Sequence, residues 1–423
     1  MTFDVIVVGG GPAGATAAKV LGQAGVSTLL LDKSAFPRDK PCGGGISARV
    51  TKRFPYIEAA LESISSKWIS KVYFEGPSGD AVEYESEERL YLMLRRYEFD
   101  HVLLSLARGH IRYQAPALVR KVSIEGDGVS VTAEVEGETR EYRCRIILGC
   151  DGANSVVARA AGLRSGSIQN EYAIDMMEET PYRELDFIDR DRIYVYYRTH
   201  GHYGYGYVFP KANHLNLGIG FKLDYYLSQL RGRQYSYFRA FVEDLAAKRL
   251  VAGQSNPANF RAFPLPISGP LPCTFAERVM LSGDAGGFVN AFTAEGIYYA
   301  MVSGEHAAHA AIGALRENQF GAGQMRCYER AWKNEIGVEL SKSVAIHRLM
   351  LADPGRLDRI IRAASRSREL ADLLARYATG ALSHRQLKRS LLRKALPLYF
   401  LEKVRMWAGS TAHRGWRSAG SGS

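Results

Sequence analysis

An α/β fold with a β-rich second lobe and a C-terminal helical segment is what the sequence predicts, and three observations carry it. The N-terminus reads as strand, glycine-rich turn, helix and strand. Two later apolar strands end on acid–glycine corners, at Asp151-Gly152 and at Gly283-Asp284. A basic stretch with apolar residues at three- and four-residue spacing follows Ser341. With 423 residues and 46% hydrophobic content, the chain can bury a large core divided among two or three lobes.

In the opening stretch, "FDVIVVGGGPAGATAAKVLGQAGVSTLLLDKS", Gly9, Gly11 and Gly14 have GxGxxG spacing between a β-branched run and an Ala-rich helix. Gly9 permits the tight turn, Gly11 lets the backbone reach a pyrophosphate, and Gly14 lets the helix pack on the strand. The helix N-terminus favours the phosphate charge. Asp32, closing the second strand, is placed to accept hydrogen bonds from a ribose hydroxyl. The unit is therefore Rossmann-type and predicts a dinucleotide site.

The two acid–glycine corners decide which dinucleotide. Both suit a long, hydroxylated ligand. A carboxylate at the second corner can hold a ribityl chain, and the helix that follows can direct its N-terminal partial charge at the N1 and O2 region of an isoalloxazine. A nicotinamide cofactor has no ribityl to offer, so FAD is the expected cofactor.

Composition bounds the setting. Cys42, Cys144, Cys150, Cys273 and Cys327 are odd in number and lack CxxC spacing, which argues against a disulfide framework or a zinc site. His306 and His309 share a helix face without further ligands, so no metal is expected. The N-terminus lacks the basic flank and cleavage site of a leader, and no apolar run reaches the ~18 residues of a spanning helix. The expected location is the cytoplasm, with membrane contact at most peripheral.

The formal charge of +11 belongs to the tail: from Ser341 to Ser423 stand 17 Lys/Arg against 5 Asp/Glu. That segment is either a solvated helical face or one drawn to anionic lipid or a phosphorylated substrate. Nucleic acid is not expected, because no binding motif accompanies the charge.

The set of Gly9 to Gly14 with Asp32, "RRYEFD" at Arg95 to Asp100, "CDGANS" at Cys150 to Ser155 and "SGDAGG" at Ser282 to Gly287 resembles FAD-dependent oxidoreductases of the aromatic hydroxylase type. Within them, "PCGGGIS", "YGYVFPKANHLNLGIG" and "GFVNAFTAEGIYYAMVSGEHAA" are similar to the geranylgeranyl reductase family, over roughly residues 1 to 310. The resemblance implies a reduced flavin that saturates isolated double bonds in the isoprenoid chain of a geranylgeranylated lipid or prenyl substrate. By position it implies that Gly9, Gly11, Pro12, Ala13, Gly14, Asp32, Lys33, Arg96, Asp151, Gly283, Asp284, Gly296 and Ile297 bind FAD. Cys42, Gly43 and Gly44 would lie at the ring with a catalytic part, and Tyr205, Tyr207 and Phe209 would line the substrate side.

The chain departs from the family pattern at three places. Tyr207 stands where YxWxFP has tryptophan, and Ala291 and Ala294 stand in a loop that commonly reads NPFTGEGI. Tyr207 keeps an aromatic wall, changes its width and adds a hydroxyl. Cys42 has three readings: proton donor, a group that sets flavin mobility, or a small buried hydrophobe. Tyr194, Tyr196 and Tyr197 read as sheet core. A second fingerprint for a nicotinamide cofactor is absent, so electrons would come from an external donor, NADPH or reduced ferredoxin. A monooxygenase or halogenase on the same fold is the alternative activity, and a flavin-binding module without catalysis the third.

The expected division is an FAD-binding domain from 1–70, 95–165 and 265–340, a substrate lobe from 71–94 and 166–264, basic helices over 341–410, and a disordered tail over 411–423.

Overall fold

The computed structural model describes residues 1–164, 171–197 and 204–393. It forms one compact unit over Met1–Ala381, followed by a second that begins at Leu382. The expected tail, and the part of the basic helices beyond residue 393, lie outside the described residues.

The strand Thr2–Val8 lies between two parallel neighbours, Thr28–Leu31 and Glu138–Gly149. Val5, Ile6 and Val7 are wholly buried, which is why this strand reads as continuous β-branched residues instead of alternating with polar ones. Val279–Leu281 extends the sheet beyond Glu138–Gly149, and Arg112–Gln114 extends it beyond Thr28–Leu31. An antiparallel pair, Leu118–Glu125 and Gly128–Val135, completes eight strands together with Phe275–Ala276. On one face the helix Pro12–Gln23 packs against Ile297–Glu317, and small side chains let the two approach closely. A Cβ on Gly304 would collide with the Ala13 carbonyl.

A second sheet of seven strands runs Phe260–Pro266, Tyr172–Pro181, His214–Lys222, Gly204–Pro210, Arg192–Tyr197, Lys71–Glu75 and Ala81–Glu85. Period-two alternation gives it two different faces. Met176, Tyr194, Tyr196, Val208, Leu217 and Ile219 pack with Phe238 and Phe241 of the helix Gln234–Ala247. The opposite face carries Ala173, Asp175, Met177 and Glu179 on one strand, Tyr205, Tyr207 and Phe209 on another, and Tyr197 on a third. Tyr194 and Tyr196 are core as expected; Tyr197, on the other side of the pleat, packs against the buried cluster of Val72, Phe74 and Ile193 and also lines a cavity.

Two further placements differ from the expected division. Tyr91–Leu94 pairs with Gly45–Ser47 and Ser66–Ile69 in a small three-stranded sheet, not with the lobe. The helices Val338–Ala352, Pro354–Ser365 and Arg368–Ala378 belong to the same compact unit as the sheets. His347, Met350, Leu357 and Ala378 from these helices line the cavity as well.

Candidate active site

The glycine-rich loop is shaped by contacts of different kinds. Gly9 has φ +100°, and a Cβ there would strike the Cys150 carbonyl; one on Gly14 would strike the Gly9 carbonyl. At Gly11 the only neighbour of a Cβ would be the Arg38 guanidinium, 3.6 Å away. Among the described residues nothing stands closer, so the space where a side chain would sit is open to a ligand. Pro12 opens the helix, and Ala13 packs against Gly283. Asp32 accepts from the amides of Gly10 at 2.7 Å and Ser34 at 2.9 Å, so it secures the loop it faces. Lys33 is exposed. Arg38 lies 3.3 Å from Asp100, and its Nη1 is buried without a hydrogen-bond partner.

The loop holding Cys42, Gly43 and Gly44 is fastened from the second sheet. Asn216 donates to the Cys42 carbonyl and to Glu179, each at 3.2 Å. Glu179 also binds Arg95 at 2.6 Å and the fully buried Lys211. Burial opposes its ionisation, but Lys211 and Arg95 hold it down at about 2. Gly44 has φ +69°, and a Cβ there would meet the Leu94 carbonyl; one on Gly43 would come within 2.9 Å of the Phe209 ring. The Cys42 Sγ accepts from the Gly44 amide at 3.4 Å. Arg96 grips Asp100 with two hydrogen bonds, at 2.6 and 2.7 Å. Burial works against its charge, yet Asp100 and a hydrogen bond to Cys42 hold its pKa above the ordinary arginine value.

The two acid–glycine corners differ. The Asp151 carboxylate accepts from Ser155 Oγ at 2.5 Å and from the Val156 and Val157 amides at 2.7 and 3.2 Å, satisfying the first turn of the helix Val156–Ala160 that Ser155 caps. Burial raises its pKa. The Asp284 carboxylate makes no hydrogen bond to a described residue. Asp284 sits in the turn Gly283–Gly286, and its Oδ1 is 3.7 Å from where a Cβ on Gly296 would lie. Gly296 in turn caps the helix that Ile297 opens. Arg164 joins the corners, bonding the Ala153 carbonyl at one and the Asp284 and Ala285 carbonyls at the other.

Beside this loop lies a mostly apolar cavity of about 200 Å³. Tyr205, Tyr207 and Phe209 form one wall, with ring centroids 6.0 and 4.6 Å apart. Gly218 and Gly220 on the neighbouring strand leave room for the tyrosine rings, since a Cβ at either would collide with them. Tyr207 donates to Asp175 Oδ2 at 3.0 Å. Burial pushes the Asp175 carboxyl up to about 7, against the Tyr207 hydrogen bond and the charge of Lys40. Ala291 to Ala294 form another wall. Ala291 donates its amide to Ser343 at 3.0 Å, and Glu295 accepts from Ser47 at 3.2 Å and Arg49 at 3.1 Å.

Sequence reasoning missed Lys40, Asp175, Glu179, Lys211 and Asn216. The available signal was an acid pair in "YAIDMMEETP" whose even spacing puts both carboxylates on one face of a half-buried strand. His306 pairs with Glu335 at 2.8 Å, and no cluster suited to a metal occurs among the described residues.

The FAD binding domain family matches residues 2–222. Digeranylgeranylglycerophospholipid reductase 1 of Methanopyrus kandleri is 30% identical over 358 residues, spanning 79% of this chain and 87% of that one. The chain belongs to the geranylgeranyl reductase family of FAD-dependent oxidoreductases. Digeranylgeranylglycerophospholipid reductase 1 of Methanothermobacter thermautotrophicus is 29% identical over 363 residues, 82% of this chain and 86% of that one. A crystal structure of a geranylgeranyl bacteriochlorophyll reductase-like protein from Thermoplasma acidophilum shares the fold, with TM-score 0.77 and 24% identity over 92% of this chain and 98% of that one. This reductase is thus an FAD enzyme, and its residues fit the cofactor. Among the described residues Gly11 is open, Arg38 presents a buried nitrogen without a partner, and no hydrogen bond reaches the Asp284 carboxylate. No helix of the described residues is long and apolar enough to cross a membrane.

Proposed function

We propose that this reductase saturates isolated double bonds in the isoprenoid chain of a geranylgeranylated lipid or prenyl substrate. The observation that carries the reading is the aromatic and apolar cavity whose Tyr207–Phe209 wall abuts Gly43 of the thiol-bearing loop. FAD, when reduced, supplies a hydride to one alkene carbon. Gly9, Gly11, Gly14, Asp32, Arg38 and Arg96 would hold its nucleotide half; Asp284 and the N-terminus at Gly296–Ile297 would hold the ribityl and ring. Gly43 and Gly44 let the loop pack against Phe209 and the Leu94 carbonyl, and in that position its main chain would border the flavin ring.

An isolated alkene has no carbonyl to absorb charge, so orientation is the main lever, worth up to ~7 to 11 kcal/mol in well-oriented systems. The cavity walls serve that end by fixing a floppy chain and excluding water. Electrons come from an external carrier, NADPH or reduced ferredoxin. The basic segment after Ser341 draws the enzyme to an anionic membrane surface, where prenylated lipid resides.

The test is anaerobic. Dithionite-reduced protein mixed with geranylgeranyl diphosphate or a geranylgeranylated phospholipid should reoxidise its flavin while product mass rises by two hydrogens per double bond. A flavin that stays reduced with every prenyl substrate and reacts only with oxygen overturns the reading in favour of a monooxygenase.

A further inference from the structure

The hydroxyl that Tyr207 adds at the tryptophan position of the family pattern is not idle. Tyr207 is 3% exposed, lines the cavity, and its ring lies against Gly43. Behind it, Asp175 is 5% exposed, accepts the hydroxyl on Oδ2, and leaves Oδ1 with no hydrogen-bond partner. A buried carboxylate oxygen without a donor is costly, whereas a protonated carboxyl can donate to the phenol oxygen.

Asp175 also stands between two spaces on one strand. Ala173 faces the apolar cavity, whereas Met177 and Glu179 face a polar cavity of about 110 Å³ that Lys40, Arg95, Arg96 and Arg261 also line. Lys40, whose charge acts on Asp175, belongs to the polar side.

We infer that Tyr207 donates the proton of the alkene reduction and that Asp175, bonded behind it, replaces that proton. The inference rests on the proposed saturation. As hydride with its electron pair bonds to one alkene carbon, the π pair takes the Tyr207 hydroxyl proton to form the second C–H bond. The phenol O–H breaks, the Asp175 O–H proton passes to the phenol oxygen, and water reprotonates the carboxylate from the polar side. The two transfers are coupled, because burial and the neighbouring Asp175 push the Tyr207 pKa well up and leave a free tyrosinate unfavourable.

The arrangement has a built-in polarity. A protonated Asp175 donates to Tyr207 and turns the phenol proton toward the cavity; an ionised Asp175 accepts that proton and turns it away. Three titratable groups act on this pair: Tyr205, Lys40 and Cys42. Lys40 lies over the Phe263 ring at 4.6 Å, and Phe263 pairs with Asp175 across the sheet. Burial pushes Asp175 up to about 7 although Tyr207 and Lys40 pull the other way.

Infrared spectra of the FAD-loaded protein without substrate, across about pH 5 to 9, should show a protonated-carboxyl stretch that fades near neutrality and is missing in Asp175→Asn. Single-turnover saturation of a geranylgeranyl substrate by the reduced wild type should slow as pH rises through about 7. Tyr207→Phe and Asp175→Asn should each lower that rate about a hundredfold with little change in KM, and flatten the pH profile. Absence of the stretch at every pH, or a Tyr207→Phe rate within a few-fold of wild type, overturns the relay and leaves the proposed saturation standing. A wild type that saturates no prenyl substrate overturns both.

Discussion

Asp175 and Glu179 stand on one face of one strand, four residues apart, and titrate in opposite directions. Asp175 is pushed up to about 7 by burial, with one phenol hydrogen bond, the Met176 amide and the charge of Lys40 too weak to offset it. Glu179 has Lys211, Arg95 and Asn216 around it and is pulled down to about 2. Burial is common to both, so the difference lies in the partners each acid is given. An acid that the protein surrounds with cations holds structure together; one left short of donors keeps chemistry available. The acid–glycine corners repeat the contrast, with Asp151 bound to the first turn of its own helix and the Asp284 carboxylate without a hydrogen bond among the described residues.

The largest effect should follow from removing the well-partnered acid. Glu179→Ala leaves Lys211, whose side chain is 1% exposed, without its counter-charge. Unpairing such a buried ion costs about 3 to 5 kcal/mol, to be read from denaturant unfolding. Its pKa lies below the ~4.3 of an unfolded glutamate, so its stabilising share is complete above that value and is lost as pH falls toward about 2. A variant as stable as wild type would erase the contrast.

The corners give the next test. Asp284→Ala should weaken FAD binding by roughly tenfold to a hundredfold, the scale of hydrogen bonds to a charged group, with little loss of fold stability. Asp151→Ala should do the reverse, costing about 1.5 to 3 kcal/mol through the lost hydrogen bonds from Ser155 and the Val156 and Val157 amides while retaining flavin. Flavin content after gel filtration, measured beside unfolding curves, separates the two.

Asp175→Asn probes the poorly partnered acid. Its folded pKa lies above the ~3.9 of an unfolded aspartate, so the folded state loses stability as pH climbs from there to about 7. Asparagine removes that ionisation. At pH 8, above both values, the variant should be more stable than wild type by up to about 4 kcal/mol, and the gap should nearly close at pH 4. A gap that is the same at both pH values would mean that Asp175 ionises freely in the fold.

These acids also mark the limit of what the sequence discloses. Gly9, Gly14, Asp32 and the helix start at Pro12 are legible because each is determined by neighbours within a few dozen residues and by backbone geometry. Tyr205, Tyr207 and Phe209 are legible as one face of a strand. That Tyr197 also borders the cavity is not legible, because it depends on the pairing of Tyr197 with Tyr205, which composition does not disclose. Glu179 meets Lys211 and Asn216 only through the pairing of Tyr172–Pro181 with His214–Lys222. The cavity walls from His347 to Ala378 come from a segment whose sequence signal was its charge.

The smallest effect concerns the loop that faces both flavin-side residues and cavity. Ala294 holds φ +58°, a conformation a side chain disfavours and glycine adopts freely. Ala294→Gly should relieve that strain, and because glycine also enlarges the unfolded ensemble, the net gain should stay below about 1 kcal/mol. Ala291→Pro, by contrast, removes the amide that Ser343 accepts and should cost about 1 kcal/mol. Neither change touches a charge. If carboxylate partnering governs cofactor retention, both variants should purify with full FAD while Asp284→Ala does not. Loss of flavin from the uncharged pair would mean that loop shape, and not the free carboxylate, holds the cofactor at this end of the site.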